Sequence, residues 1–331
     1  MPSALQIYKR VVLGRPIANE HLEGQGLSKR IALPVFASDA LSSVAYGPQE
    51  LLMILALGGL SFLSFAPWVA AAIMGLLMVV VISYRQLIRA YPSGGGSYEV
   101  AHKNLGAKAG LVVGAALLVD YIMTVAVSIA SGVDNIISAA PEINRFRVEM
   151  AVGFVVILVA MNLRGVRESG TAFSIPTYLF IGSVGITIVV GLIRHLMGTL
   201  PLAESAGYTV PERSMGQVAV VLLLMRGFAS GCATLTGVEA VANGVPAFRP
   251  PKSRNAQVTL TLMGIIAVTL MAGIVTLAMM VKVHYVENLC TVQGYVGDCT
   301  TDPQRSVIAQ IAHAVFGSDH HLGFYAVQAT T

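Results

Sequence analysis

Charge is what this sequence has least of. Only 11% of its 331 residues are Asp, Glu, Lys or Arg, against 55% hydrophobic residues and a mean hydropathy of +0.72. Soluble domains carry roughly 25% charged residues. The chain is therefore too long for one ordinary soluble core and too apolar for two. Cysteine is scarce as well, at three residues, which excludes a disulfide scaffold, and the apolar content excludes disorder and a collagen-like chain. The glycine-rich stretch YPSGGGSYEV (91–100) is not followed by Gly-Lys-Ser/Thr, so it is no phosphate-binding loop. No Ser/His/Asp constellation, metal-ligand spacing or histidine within a span core is present, so the sequence offers no enzyme chemistry, no cofactor site and no histidine proton relay. The net charge of +4 is slight for this length and points to topology rather than to nucleic acid. What remains is an all-α polytopic membrane protein.

Runs of about twenty apolar residues can cross a bilayer as helices. The sequence predicts seven within 31–281, at about 31–57, 66–84, 110–133, 148–163, 174–196, 217–247 and 257–281. A polar N-terminal segment (1–30) precedes them. An outer loop (282–319) with a short amphipathic helix near 306–316 follows, and 320–331 reads as the opening of an eighth span cut short. Fourteen of the 21 basic residues fall on the N-terminal side of these spans, six on the other, and Arg226 within a span. That bias predicts a cytoplasmic N-terminus in the plasma membrane. Cys232, inside a span, reads as a packing residue. Cys290 and Cys299 share the outer loop, where a disulfide and a metal clip with His284 and Asp298 are both open.

Two spans are not apolar throughout. The first carries Ser38, Asp39, Ser42, Ser43, Tyr46, Gly47 and Pro48 in its middle, and Pro48 with Gly47 predicts a break. The sixth carries Gly227, Gly231, Gly237 and Gly244 around Thr234, Thr236 and Glu239, and is also expected to be interrupted. Close helix packing alone also accounts for many such glycines. Interrupted spans at matching places in two halves of an inverted repeat point to a transporter's central site.

In the third span Asp120, Thr124 and Ser128 recur at i, i+4 and i+8 and share one face, with Tyr121 beside them. A carboxylate at mid-membrane is costly and calls for a cavity or a partner, by about 2.5–3.5 kcal/mol on insertion scales. Asp39, Asp120 and Glu239 have no matching bases within the spans. Arg226 lies thirteen residues before Glu239, about 20 Å along an unbroken helix. Carboxylates, hydroxyls and bare carbonyls together favour a bound cation, and Asp120 and Glu239 are the candidates for carrying a coupled proton. Tyr46 either closes over the ion or fills a helix contact. The 91–100 stretch reads as a hinge-like gate on the cytoplasmic side, and Glu50 as a residue of the outer vestibule.

SDALSSVAYG, YPSGGGSYEVAHKNLG, LLVDYIMTVAVSIASG and ASGCATLTGVEAVANGVPAF resemble bacterial potassium importers of the KUP type, in the KimA branch of the amino acid–polyamine–organocation superfamily. The resemblance implies a five-plus-five inverted-repeat bundle of the LeuT type, of which this sequence is the N-terminal portion, and proton-coupled potassium symport. It implies potassium ligands at Asp39, Tyr46, Asp120, Tyr121, Thr124, Ser128, Thr236 and Glu239. It also implies further spans, a cytoplasmic regulatory domain and a homodimer. Two alternatives stand beside it. One is an amino-acid or polyamine permease of the same superfamily, although Asp39 at the first break would repel a substrate carboxylate. The other is a membrane sensor or scaffold that transports nothing.

Overall fold

The computed structural model describes residues 26–163, 166–317 and 322–331, with side chains of 166–172 left aside. Residues 1–25, most of the polar N-terminal segment, and 318–321 lie outside the described residues. The described chain is helical, with two isolated β-bridges and no strand. Eleven α-helices are described: α1 (Lys29–Ala56), α2 (Ala66–Ala90), α3 (Gly96–Leu105), α4 (Ala107–Ala139), α5 (Arg147–Asn162), α6 (Val166–Leu196), α7 (Gln217–Gly231), α8 (Val238–Asn243), α9 (Lys252–Met280), α10 (Val307–Phe316) and α11 (Leu322–Thr330).

Five helical stretches among the described residues are long and apolar enough to cross a membrane: Leu60–Ala90, Ala107–Ala139, Phe173–Leu196, Gln217–Asn243 and Lys252–Met280. The first and fourth expected spans also fold as helices, α1 and α5. The polar middle of α1 lowers its hydropathy, and α5 has only 16 residues. The chain is thus a multi-pass membrane protein built on a helical bundle.

Helices α1 and α9 form its centre. Leu41, Val44, Leu51, Leu52 and Leu55 of α1 are buried, as are Leu260, Met263, Ala267, Met271 and Ile274 of α9. Around them pack α2, α6 and α7. Small residues bring the helices close: a methyl group added to Gly264 of α9 would lie 2.8 Å from Val81 of α2. By contrast α4 and α5 turn large apolar side chains outward, among them Leu111, Leu118, Ile122, Val152 and Ile157. Such faces suit lipid or neighbouring helices, not water.

Two expectations are corrected. Helix α1 is not interrupted: it runs as one α-helix from Lys29 to Ala56 through both Pro34 and Pro48. A proline removes one bond from the ladder, but α1 is packed on nearly all sides, where unwinding would bury several unpaired backbone groups instead of one. Gly47 serves packing, since a side chain there would collide with the Thr234 methyl. The segment near 306–316 does not lie with one face open to solvent either. Nearly every residue of α10 is buried, because it packs against α1, α4, α6, α9 and α11.

The sixth expected span does break. Helix α7 ends at Gly231, a 3-10 turn covers Cys232–Leu235, Thr236 is extended, and Gly237 takes a left-handed conformation (φ +78°) before α8 begins. Only glycine takes this conformation freely. The freed carbonyls of Gly231 and Ala233 accept the hydroxyls of Thr234 and Thr236, each at 2.9 Å. Cys232 is a free, partly buried thiol packed against the core.

Candidate functional site

The break between α7 and α8 lies directly against the polar middle of α1. Any side chain at Gly237 would come within 2.6 Å of the Ala40 amide nitrogen and 2.9 Å of the Asp39 side chain. This close approach brings Thr236 to Asp39. Thr236 Oγ1 lies 2.7 Å from Ser43 Oγ and 3.4 Å from Asp39 Oδ1. Ser43 Oγ in turn lies 2.8 Å from the Tyr46 hydroxyl and donates to the Asp39 carbonyl at 2.9 Å. Asp39, Ser43, Tyr46 and Thr236 therefore form one polar seam between α1 and the break. It holds more oxygen lone pairs than protons: three hydroxyls share their protons among a carboxylate, backbone carbonyls and one another. No Lys or Arg pairs with Asp39 among the described residues.

Helix α4 meets the seam on its Asp120–Thr124–Ser128 face. Ser128 Oγ is 3.3 Å from Ser42 Oγ, and Thr124 is buried. Asp120 itself is exposed, yet near enough for its charge to act on Asp39. Tyr121 points elsewhere: its hydroxyl accepts from Asn243 Nδ2 of α8 at 2.7 Å.

Glu239 does not join the seam. Its Oε1 accepts the Ser97 backbone N–H at 2.7 Å, at the start of α3. The three acids thus do not converge, and among the described residues no group of three or more His, Cys, Asp or Glu is placed to hold a metal ion. The physical reason is the helical spacing after the break. Glu239 lies three residues beyond Thr236, on the first turn of α8, and an exposed helix N-terminus is the better partner for a carboxylate.

The glycine-rich stretch is what delivers that N-terminus. Gly94, Gly95 and Gly96 all have positive φ, so the chain reverses tightly and α3 starts beneath α8. A Cβ at Gly96 would meet Glu239 Oε1 at 2.6 Å, and one at Gly94 would meet Pro246 at 2.7 Å. Tyr84 of α2 closes the cluster, its hydroxyl 2.8 Å from Ser97 Oγ.

The opposite end of the seam is tied off by α10. Val307 N donates to Gln49 Oε1 of α1 at 3.1 Å. Ser306 Oγ donates to Asn135 Oδ1 of α4 at 2.7 Å, and Ser306 N to Ser138 Oγ at 3.0 Å. All four polar side chains are buried. Beside them Glu50 accepts from Ser230 Oγ at 3.4 Å, and Asp134 pairs with Arg147. Arg226 is exposed on α7, and no carboxylate pairs with it among the described residues. Farther out, Cys290 and Cys299 are joined by a disulfide. In the same loop His284 is held by its Nδ1 at 3.0 Å from the Tyr208 carbonyl, and burial pushes its imidazole below the usual histidine range.

Sequence reasoning missed Ser97, Asn243 and the Gln49–Asn135–Ser138–Ser306 cluster. Asn243 was legible as an amide one turn beyond Glu239. The buried cluster joins residues as far as 258 positions apart, for which sequence spacing holds no signal.

Comparisons with known proteins follow the same outline. The family model described as amino acid permease matches residues 38–318. The potassium transporter KimA of Bacillus subtilis (strain 168) is 39% identical over 323 residues, 98% of this chain and 50% of the relative. The low-affinity putrescine importer PlaP of Escherichia coli (strain K12) is 25% identical over 168 residues, 50% of this chain and 36% of the relative. The chain spans about half the length of the first of these relatives.

Proposed function

Since the chain belongs to the amino acid permease family, a family of membrane transporters and not of enzymes, we propose that it forms part of a proton-coupled potassium importer of the plasma membrane, with its N-terminus in the cytoplasm. The observation that carries this reading is the Asp39–Ser43–Tyr46–Thr236 seam, a carboxylate and hydroxyls without a paired base, between a continuous helix and a broken one. Potassium is held by oxygens alone, from carboxylates, hydroxyls and carbonyls. Asp39, Thr236 and Tyr46 supply ligands from two sides, and Thr124, Ser128 and Asp120 approach from α4. Similarity to a potassium transporter over 98% of the chain supports the same cargo.

Tyr121 and Glu239 take a different role in this reading. Glu239 fastens α8 to the glycine-rich gate through Ser97, Tyr121 fastens it to α4 through Asn243, and Asp120 and Glu239 are both candidates for carrying the coupled proton. Alternating access then consists of releasing α10 from one end of the seam and α3 from the other. All seven expected spans contribute to the bundle, with α1 and α5 among them. Further spans, a cytoplasmic regulatory domain and a homodimer complete the transporter in this proposal.

A polyamine permease is the second reading, favoured by the similarity to a putrescine importer. An unpaired carboxylate suits an ammonium group as it suits potassium. An amino-acid substrate fits less well, because α1 stays helical and exposes no free amides beside Asp39 for a substrate carboxylate.

The test expresses the full-length protein in cells that lack their own potassium uptake. Growth at limiting potassium, lost in Asp39→Asn and Asp120→Asn, is the expected result. Uptake of labelled putrescine without potassium rescue establishes the second reading. Failure of both, with the protein correctly inserted, leaves the sensor or scaffold. Cytoplasmic acidification on potassium addition tests the proton coupling.

A further inference from the structure

A cleft of about 440 Å³ opens on the outer flank of the bundle, where α2 and α9 pack together. At one end it is lined by Arg85 and Arg89, in the last turns of α2, and by Arg254, in the first turn of α9. From there it continues along Val258, Leu262 and Ile265 of α9. These three positions follow Arg254 at i+4, i+8 and i+11, so they extend one helical face away from the charge. Each is exposed, at 43%, 45% and 52%.

The charge in this cleft is unspent. The three ion pairs among the described residues are Glu99–Lys103, Asp134–Arg147 and Glu204–Arg305, and none involves Arg85, Arg89 or Arg254. Arg89 is nonetheless held in place, its Nε donating to Gln257 Oε1 at 3.2 Å, which leaves its terminal nitrogens free. A fixed guanidinium flanked by two others matches the planar, paired oxygens of a phosphate. The apolar half supplies length. The eleven helical steps from Arg254 to Ile265 span about 16 Å, close to half the roughly 30 Å hydrocarbon core of a bilayer.

We propose that this cleft binds an anionic glycerophospholipid, its phosphate under Arg85, Arg89 and Arg254 and one acyl chain along Val258, Leu262 and Ile265. Charge complementarity selects the head group. The apolar stripe, in register with a single leaflet, selects a lipid over a free anion. Both helices end at this level, so the arginines lie where the head groups lie; with the N-terminus inside, that is the cytoplasmic leaflet, whose anionic lipids attract basic clusters. The cleft shares no lining residue with the Asp39 seam and stands whether or not the transport reading holds.

The test measures lipid retention by native mass spectrometry on the purified full-length protein. Dioleoylphosphatidylglycerol and dioleoylphosphatidylcholine are supplied in equal amounts, with inorganic phosphate as a third arm. The wild type is expected to retain the anionic lipid preferentially, by roughly five-fold for each arginine engaged. In R89Q/R254Q the preference falls towards parity, and in R89K/R254K part of it survives. Filling the stripe in V258W/L262W removes retention with the arginines intact, and this variant carries the test if the glutamine variant misfolds. Parity in the wild type overturns the proposal, as does an unchanged preference in the folded variants. Displacement by inorganic phosphate alone overturns it too, by making the cleft a site for a free anion.

Discussion

Glu239 and Ser97 are 142 positions apart, yet the Glu239 carboxylate accepts the Ser97 backbone N–H at 2.7 Å and caps α3. Helix α3 has no cap of its own, because the residue before it is Gly95. A side chain from the broken sixth span thereby does what a Ser or Asp would do locally. The inner half of the break and the glycine-rich segment must move together while this bond holds.

Removing the carboxylate should uncouple them. In Glu239→Ala the Ser97 amide loses its acceptor, which destabilises the start of α3 by about 1–3 kcal/mol. Hydrogen exchange of the Gly96–Glu99 amides, followed by mass spectrometry, should then accelerate by roughly ten-fold or more. Glu239→Gln keeps a carbonyl acceptor and should show a smaller effect. Exchange equal to the wild type in both variants would refute the coupling.

Gly237 should tolerate no side chain. Its φ of +78° and the 2.6 Å approach to Ala40 N act in the same direction. The left-handed conformation alone costs an L-residue about 1–2 kcal/mol, before the clash with α1. Gly237→Ala is expected to lower the thermal midpoint of the purified protein clearly, whereas Gly207→Ala, with open space around it, is not.

Thr236 is expected to matter through its hydroxyl. Thr236→Val keeps the shape and removes the oxygen that links Ser43 to Asp39. Transport should fall sharply with folding retained, and Thr236→Ser should recover most of it. The readout is uptake set against surface expression; equal uptake in the wild type and the valine variant would remove Thr236 from the site.

Acid should loosen the outer loop. Burial holds His284 neutral, with Lys282 nearby adding to the effect. A base whose folded pKa is depressed contributes stability above its unfolded value of about 6.5, and that contribution is lost as the pH falls below it. Proteolysis of the 281–306 segment should therefore quicken between about pH 7.5 and pH 5.5, roughly one unit either side of that value. His284→Gln should flatten the dependence.

Opening the Cys290–Cys299 bridge should act on the same loop and not on the bundle. A disulfide closing so short a loop contributes about 2–4 kcal/mol, chiefly by restricting the open chain. Cys290→Ser with Cys299→Ser should raise loop proteolysis while leaving the helical circular dichroism unchanged. A collapse of helicity would mean that the loop holds α9 and α10 in place.

The sequence by itself determined the membrane class and most helices, because hydropathy and length are one-dimensional properties that a bilayer reads directly. It also marked Asp39, Asp120 and Glu239 as costly residues in an apolar setting. It misjudged the first span, where Pro48 looked like a break. Whether a proline unwinds a helix depends on what surrounds it, and α1 lies at the centre of the bundle. It also assigned three acids to one site. Only the tertiary structure took Glu239 out of that group, leaving Asp39 with Thr236 and sending Glu239 to Ser97, because the turn at Gly237 fixes which way each side chain after the break points. The burial of α10 against Gln49 and Asn135 was decided the same way, by contacts between residues far apart in the chain.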